Sequence, residues 1–258
     1  MTQISVSAND RSNLVFEIIS ARIHDEDKKY VVYNLQVRHI SGFDDLSPSL
    51  IERRYTHFLS LYNSLKMEYP DLMVTVEFPK KVLLGNFDNS LISSRSTGFE
   101  TMLKYVSSNN NLRNSKSLLV FLQEPELTKA KDLLERKEFN EAFPILEANF
   151  LLLNKVFTDR SPAVLISLCR LLGCGVQANG IIWRKWAELA LHRYEGVSDS
   201  DLLALYVPLM QLCLKYELNR EDLERRLLDL SKTGFMVSDT NSLLSEVDKV
   251  EKKILNLT

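Results

Sequence analysis

The hydrophobic period of this chain changes along its length, and that change constrains the fold more than any other feature. Between Tyr30 and Ile40 apolar and polar residues alternate, as in a strand that is buried on one face. From Leu127 onward only the helical period recurs. The pattern therefore predicts an α+β domain followed by an all-α domain, and 258 residues are enough for two domains.

The expected division follows the composition of the chain. Residues 1–11 are polar and are predicted to form a flexible N-terminus. Residues 12–125 are predicted to form the mixed domain, and residues 126–258 the helical domain. The Glu124-Pro125-Glu126 segment is the predicted boundary, because it follows a short apolar helix and introduces a proline.

The first domain is predicted to contain three antiparallel strands and several helices. The runs Asn13–His24 and Tyr30–Ile40 flank the charged turn Asp25–Lys28, which is the pattern of a β-hairpin. A third strand is predicted over Ser49–Tyr55, and an amphipathic helix over Thr56–Tyr69.

The corner between that strand and that helix, residues 53–58 with the sequence RRYTHF, has the chemistry of an anion site. Guanidinium groups bind phosphate in a bidentate way, and a helix N-terminus offers free N–H groups. A tyrosine face can lie against a flat ring. The same six residues also fit an exposed strand end with Thr56 as an ordinary N-cap, and taken alone they favour that interpretation.

A loop after this helix combines Pro79, Lys80 and Lys81 with large apolar residues. Exposed loops seldom carry such residues unless the tip is buried or inserts into something. Both interpretations stay open: the tip packs under the next helix, or it enters a membrane. The apolar residues are Val82, Leu83, Leu84 and Phe87.

The next helix, predicted over Ser90–Val106, contains two unusual residues. Arg95 near its start opposes the helix dipole, so it is expected to have an anionic partner or to be exposed to water. Gly98 costs about 1 kcal/mol relative to alanine in a helix, which predicts close packing against another element.

Composition excludes several classes of function. The net charge is −2, and residues 1–125 hold 14 basic and 14 acidic residues, so non-specific binding to nucleic acid is not expected.

The three cysteines lie in apolar helical patterns and are predicted to be reduced core thiols. The chain has no transmembrane-length apolar run, the histidines have no metal-ligand spacing, and catalytic motifs are absent. We therefore expect neither an enzyme nor a cofactor or metal site.

Taken in order, these motifs resemble the phosphoinositide-binding PX domain over about residues 12–125. The resemblance rests on a hairpin, a strand ending in Arg-Arg-Tyr-Thr-x-Phe, a helix, a Pro-x-Lys loop, and a helix with Arg-x-x-Gly-Phe-Glu. The loop has a single proline, Pro79, where many PX domains have a proline-rich run.

The resemblance implies a role for each matching residue in binding phosphatidylinositol 3-phosphate. Arg54 would clamp the 3-phosphate, Tyr55 would pack on the inositol ring, and Thr56 would touch a phosphate. Lys81 would reach the 1-phosphate, and Arg95 would hydrogen-bond the 4- and 5-hydroxyls. The loop with Val82, Leu83, Leu84 and Phe87 would be the membrane-inserting loop. Arg53 is expected to face the other side of the strand and to support it.

The second half has a loose helical repeat that resembles about three tetratricopeptide (TPR) pairs, with a last helix over Leu243–Leu255. Trp183 and Trp186 are interpreted as core anchors. A PX domain followed by such a unit resembles the sorting nexins that carry a PX-associated (PXB) helical domain, the selectin-ligand-interactor subgroup.

The resemblance implies a cytoplasmic adaptor that lies peripherally on early endosome membranes. The PX domain would bind phosphatidylinositol 3-phosphate, and the helical domain would recruit cargo-receptor tails or other trafficking proteins. An alternative is a protein-interaction scaffold whose PX domain binds lipid weakly or prefers a doubly phosphorylated phosphoinositide.

Overall fold

The structure is a computed structural model, and it describes seven parts of the chain. These are residues 14–40, 47–82, 84–178, 183–218, 220–232, 234 and 242–255. The chain divides into two compact units, one of Met1–Glu124 with Lys155–Phe157 and one of Pro125–Asn154 with Thr158–Thr258. The predicted flexible segment 1–11 lies outside the described residues.

The first unit contains a three-stranded antiparallel sheet in the order β1-β2-β3. The strands are β1 (Leu14–His24), β2 (Tyr30–His39) and β3 (Ser49–Arg54). The alternation read in β2 is confirmed, because its odd-numbered apolar residues are buried while Asn34 and Gln36 are only partly covered. The buried set is Val31, Tyr33, Leu35 and Val37.

Five helices complete this unit, and aromatic rings from two of them pack on the sheet. They are α1 (Tyr55–Glu68), α2 (Pro70–Met73), α3 (Asn89–Ser108), α4 (Asn110–Arg113) and α5 (Lys116–Gln123). The rings of Phe58 from α1 and Phe99 from α3 are parallel, with centroids 3.9 Å apart. Tyr33 from β2 meets both rings edge-on, so the sheet, α1 and α3 share one core.

The strand-to-helix corner differs from the prediction by one residue. Strand β3 ends at Arg54, and Tyr55 is the first residue of α1 rather than the last of the strand. Thr56 is therefore not the N-cap. That position belongs to Arg54, which has extended backbone angles and donates its N–H to Nδ1 of His57 at 3.2 Å. The hydrogen bond between Arg54 and His57 starts the helix one residue earlier than predicted.

The second unit is helical throughout the part that the structure describes, which confirms the predicted α+β class with a helical C-terminal part. The buried tryptophans Trp183 and Trp186 are core residues, as interpreted from the sequence. The helices are α6 (Glu126–Glu135), α7 (Phe139–Val156), α8 (Pro162–Gly175), α9 (Trp183–Tyr194), α10 (Ser200–Lys215), α11 (Arg220–Lys232) and α12 (Leu243–Leu255).

The last helix, α12, has the bounds predicted for it and packs on α8 and α10. Its Glu251 is buried and lies 2.8 Å from the buried guanidinium of Arg170 in α8. The ammonium of Lys131 in α6 lies 2.6 Å from the same carboxylate. Removing one partner of such a buried group leaves an uncompensated charge, so this cluster fixes the position of α12.

The three cysteines are free and buried, as predicted. Burial raises the pKa of the Cys169, Cys174 and Cys213 thiols to about 12. They are thus protonated at neutral pH and pack as small apolar groups.

Two helices of the second unit end in Schellman motifs that place a non-glycine residue in the left-handed region. Lys137 after α6 has φ 61°, and Glu217 after α10 has φ 59°. At the first site Glu138 N–H donates to the carbonyl of Leu133 at 2.8 Å. Glycine adopts this conformation without the steric cost that a Cβ imposes.

We predict that Lys137→Gly and Glu217→Gly each raise the free energy of unfolding by about 0.5–1 kcal/mol, because relief of the left-handed strain exceeds the added chain entropy. Denaturant unfolding of the full chain measures this. Lys129→Gly, at an exposed mid-helix position of α6, is the matched control and should destabilise by about 1 kcal/mol. Equal destabilisation by all three variants would contradict the prediction.

Candidate functional site

A cavity of about 350 Å³ in the first unit lies between the β1–β2 turn, the start of α1, the loop before α3, and α3 itself. It brings together every head-group residue predicted from the sequence. Its lining consists of Lys28, Lys29, Tyr30, Val31, Arg54, Tyr55, Thr56, Lys81, Val82, Asn86, Phe87 and Arg95.

The two adjacent arginines of β3 face opposite directions because side chains alternate along a strand. Arg53 is fully buried, and its Nε donates to the carbonyl of Phe121 at 2.7 Å. Its two other nitrogens donate to the carbonyls of Leu122 at 2.9 Å and Glu52 at 2.8 Å. Arg54 is exposed and lines the cavity. The expected division between a supporting and a pocket-facing arginine therefore matches the geometry.

Tyr55 connects α1 to the loop that carries the lysines. Its hydroxyl donates to the carbonyl of Pro79 at 2.8 Å. Pro79 in turn rests on α3 at Gly98, where a Cβ would lie 2.5 Å from Cγ of the proline. The close packing predicted from Gly98 is thus confirmed, and it brings the segment before Lys81 against α3.

Arg95 was expected to have an anionic partner or to be exposed to water, and it has neither among the described residues. Helix α3 begins at Asn89, so Arg95 lies in the second turn, and it is only 3 % exposed. It has no acidic partner among the described residues. Its guanidinium stacks on the ring of Tyr55, with Cζ 4.4 Å from the centroid, and donates to Oδ1 of Asn86 at 3.1 Å.

The Nε of Arg95 has different surroundings from the nitrogen that bonds Asn86. This Nε is buried and has no hydrogen-bond partner among the described residues. A buried donor without an acceptor costs free energy, and buried polar groups in proteins nearly always find a partner. Arg95 also lines the cavity, so its guanidinium lies beside the space where a ligand with hydroxyl or phosphate oxygens would bind.

The residues predicted to insert into a membrane occupy different surroundings. Leu84 is 88 % exposed. Val82 is partly buried, and its carbonyl accepts from Nδ2 of Asn86 at 3.1 Å. Phe87 is 36 % exposed and lies under Nζ of Lys29, 5.0 Å from the ring centroid. Leu83 lies outside the described residues.

The cavity has a strongly positive lining. Five basic residues line it, and its described lining includes no Asp or Glu. The N-terminus of α1 adds the positive end of a helix dipole, and the first turn of this helix contains no acidic residue. Burial raises the pKa of Tyr55, and the neighbouring Arg95 partly opposes that rise. The tyrosine is therefore a neutral hydrogen-bond donor at pH 7.

Sequence reasoning missed five of the described lining residues, namely Lys28, Lys29, Tyr30, Val31 and Asn86. The first four lie at the hairpin turn and at the start of β2. The sequence predicts only a charged hairpin turn here. The position of that turn beside the cavity depends on the strand register, which the sequence pattern does not give. The polar, turn-forming character of Asn86 gave no sign of its hydrogen bond to Arg95.

Comparison with known proteins finds a family match in the first unit. Residues 42–125 match the PX domain family. The chain is 33% identical over 163 residues to sorting nexin-20 of Bos taurus, and the aligned region covers 62% of this chain and 51% of that protein. It is 30% identical over 234 residues to sorting nexin-21 of Homo sapiens, and that aligned region covers 89% of this chain and 62% of that protein.

The chain therefore contains a PX domain, and a helical region follows it. It is a relative of the sorting nexins named 20 and 21 and spans about half the length of the first of them. A designed CISK-PX domain is a solved structure with 23% identity and a TM-score of 0.35, covering 41% of this chain and 95% of its own.

Within the described residues, no helix has the length and hydropathy needed to cross a membrane. In the same parts of the chain, no group of three or more His, Cys, Asp or Glu side chains is placed to hold a metal ion.

We predict that Arg53→Ala lowers the free energy of unfolding of the first unit by about 3 kcal/mol or more, because it leaves the Phe121 and Leu122 carbonyls buried without donors. Arg54→Ala should change it by less than about 1 kcal/mol, because that side chain is exposed. Denaturant unfolding, followed by a signal from the first unit, compares the two variants. Similar stabilities for both would contradict the division of roles.

Proposed function

We propose that this chain is a membrane adaptor that binds phosphatidylinositol 3-phosphate on early endosomes. The observation that carries the proposal is the convergence of Arg54, Lys81 and Arg95 on one cavity whose described lining has no carboxylate. A phosphomonoester carries about −1.5 to −2 charges at pH 7 and binds guanidinium in a bidentate way.

In this proposal each lining group has its own part of the head group. Arg54 clamps the 3-phosphate beside the free N–H groups of α1, with Thr56 as a further donor. Lys81 binds the 1-phosphate at the exposed side of the cavity. Arg95 donates to a ring hydroxyl from the guanidinium that lines the cavity. Arg95 covers part of the Tyr55 ring, and the inositol packs against the rest of that ring.

The exposed apolar loop provides the second membrane signal. A head-group site or a single apolar anchor alone binds membranes weakly, and stable attachment usually takes two signals. Leu84 projects into water in the described structure, beside the exposed Lys80 and Lys81. We propose that Val82, Leu83, Leu84 and Phe87 enter the membrane interface as the head group binds.

The two domains have separate roles in the proposed adaptor. Residues 12–125 are the lipid-binding PX domain, and residues 126–258 are a TPR-like (PXB) protein-interaction domain for cargo-receptor tails or other trafficking proteins. The relatives named sorting nexins support a trafficking adaptor rather than an enzyme. The protein would be cytoplasmic and peripheral on the membrane, without nucleic-acid partners.

We predict that the full chain sediments with phosphatidylcholine vesicles that contain phosphatidylinositol 3-phosphate and not with vesicles that contain unphosphorylated phosphatidylinositol. Arg54→Ala should weaken this binding by at least about 30-fold, because it removes charge-assisted hydrogen bonds to the phosphate.

Arg38→Ala is the matched control for that experiment. Arg38 pairs with Glu17 on the sheet surface and does not line the cavity, so its loss should leave vesicle binding unchanged. Equal binding to both kinds of vesicle, or full binding by Arg54→Ala, would leave the chain as a protein-interaction scaffold.

A specific observation favours a second candidate ligand, a doubly phosphorylated phosphoinositide. Such a lipid needs more basic contacts than a monophosphate, and Lys28 and Lys29 of the hairpin turn supply them. Lys29 also lies 3.4 Å from Asp25, which partly neutralises it. The exposed Lys28 makes no ion pair among the described residues, so it is the stronger candidate for an added phosphate.

We predict that Lys28→Ala separates the two ligands. If the preferred lipid has a second phosphate, the variant should lose about fivefold in affinity for that lipid and keep its affinity for phosphatidylinositol 3-phosphate. Vesicles with each phosphoinositide in turn measure this. Lys66→Ala, at an exposed position of α1 outside the cavity, is the matched lysine control. Equal affinities of Lys28→Ala and the wild type for all lipids would remove the second candidate.

A further inference from the structure

The exposed arginine of the cavity is held by an aromatic ring. Cζ of Arg54 lies 3.6 Å from the ring centroid of Tyr30, so the planar guanidinium lies against the tyrosine. Among the described residues the Arg54 side chain forms no ion pair with a carboxylate. The guanidinium therefore rests on an aromatic face and not on a carboxylate.

Strand register explains how the ring reaches the arginine. Arg54 is paired with Val32, and β3 ends there, so Tyr30 has no β3 residue directly across from it. Tyr30 lies two residues from Val32 and on the same sheet face. Diagonal neighbours of this kind are within reach of an aromatic ring and a long side chain.

The neighbouring strand contacts the same ring. His24 is the register partner of Tyr30 across β1 and β2, and its ring centroid lies 4.6 Å away at an interplanar angle of 32°. The imidazole restricts the rotation of the tyrosine, and the tyrosine in turn restricts Arg54. The three side chains form a row across the end of the sheet, which we call the His24–Tyr30–Arg54 row.

Stacking leaves the arginine ready to bind an anion. A guanidinium that rests on a ring uses its face for that contact and keeps the N–H groups along its edge for bidentate bonds. A long side chain that is already ordered loses less rotamer freedom when it binds. By contrast, an ion pair with a carboxylate would hold Arg54 equally well but would compete with the phosphate.

We propose that Tyr30, held by His24, is a positioning residue that orders Arg54 for phosphate binding without competing for the phosphate. The inference rests on the proposed function, since it concerns the same head-group site. It assigns a role to a residue of the hairpin that lies outside the Arg-Arg-Tyr-Thr motif.

The test uses the full chain with four variants, and it measures vesicle binding and an NMR shift. Vesicles of phosphatidylcholine with phosphatidylinositol 3-phosphate measure affinity for the wild type, Tyr30→Leu, Tyr30→Phe, Arg54→Ala and the Tyr30→Leu/Arg54→Ala double variant. Tyr30→Leu should lose about three- to tenfold in affinity, the range expected for a lost cation–π contact. Tyr30→Phe should keep most of the affinity, because it keeps the ring.

The double variant separates positioning from a general structural effect. If Tyr30 acts through Arg54, Tyr30→Leu should cause no further loss once Arg54→Ala is present. An additional loss of the same size in that background, or full affinity of Tyr30→Leu alone, would overturn the inference.

A lipid-free measurement keeps the inference testable if the proposed function fails. A guanidinium over a ring face is shifted upfield by the ring current, so the Arg54 Nε–H proton should be upfield in the wild type and in Tyr30→Phe. It should return to an ordinary position in Tyr30→Leu. An ordinary shift in the wild type would overturn the inference, whereas failure of the wild type to bind any phosphoinositide vesicle would overturn only the proposed function.

Discussion

The buried guanidinium of Arg53 is the interaction on which the candidate site depends. It is fully covered and donates to three backbone carbonyls, two of them at the end of α5. These bonds fix the end of β3 against the helical layer. Because side chains alternate along a strand, fixing Arg53 inward directs Arg54 outward to the cavity. The same bonds satisfy the carbonyls of Phe121 and Leu122, which α5 itself cannot pair.

A second set of contacts brings the loop to the cavity. The Tyr55 hydroxyl holds the carbonyl of Pro79, and Pro79 packs on Gly98. Farther along the loop, Asn86 connects Arg95 to the carbonyl of Val82. The loop is therefore attached at both of its ends, while Leu84 between them stays exposed. This arrangement fits a site that is formed before the ligand arrives. It also leaves the exposed side chain of Leu84 available for an apolar contact.

Much of the fold and part of the site followed from the sequence for identifiable reasons. The alternation in β2 and the helical period after Leu127 are local patterns, and they predicted the fold class. The resemblance of the Arg-Arg-Tyr-Thr and Pro-x-Lys segments predicted residues that now line one cavity. Gly98 predicted a close approach because its cost in a helix requires a reason.

The rest depended on contacts between distant parts of the chain. Tyr30 and Lys28 join the cavity only because the β1–β2 register and the end of β3 place them beside Arg54. Arg95 was expected to need an anion or water, and the structure gives it the Tyr55 ring and an amide instead. The start of α1 is one residue earlier than predicted because the imidazole of His57 accepts the N–H of Arg54. That contact is local, whereas no local pattern contains the positions of Tyr30 and Lys28 or the surroundings of Arg95.

The most direct measurement is an NMR titration of the full chain with inositol 1,3-bisphosphate, the soluble head group of phosphatidylinositol 3-phosphate. If the cavity binds the head group, we expect saturable shifts that are largest for the side-chain signals of Arg54 and Arg95, with smaller changes at Tyr55 and Lys81. Signals of the buried Arg53 should move little. Absence of saturable shifts, or shifts spread over lysines outside the cavity, would contradict the central claim that this cavity is a phosphoinositide head-group site.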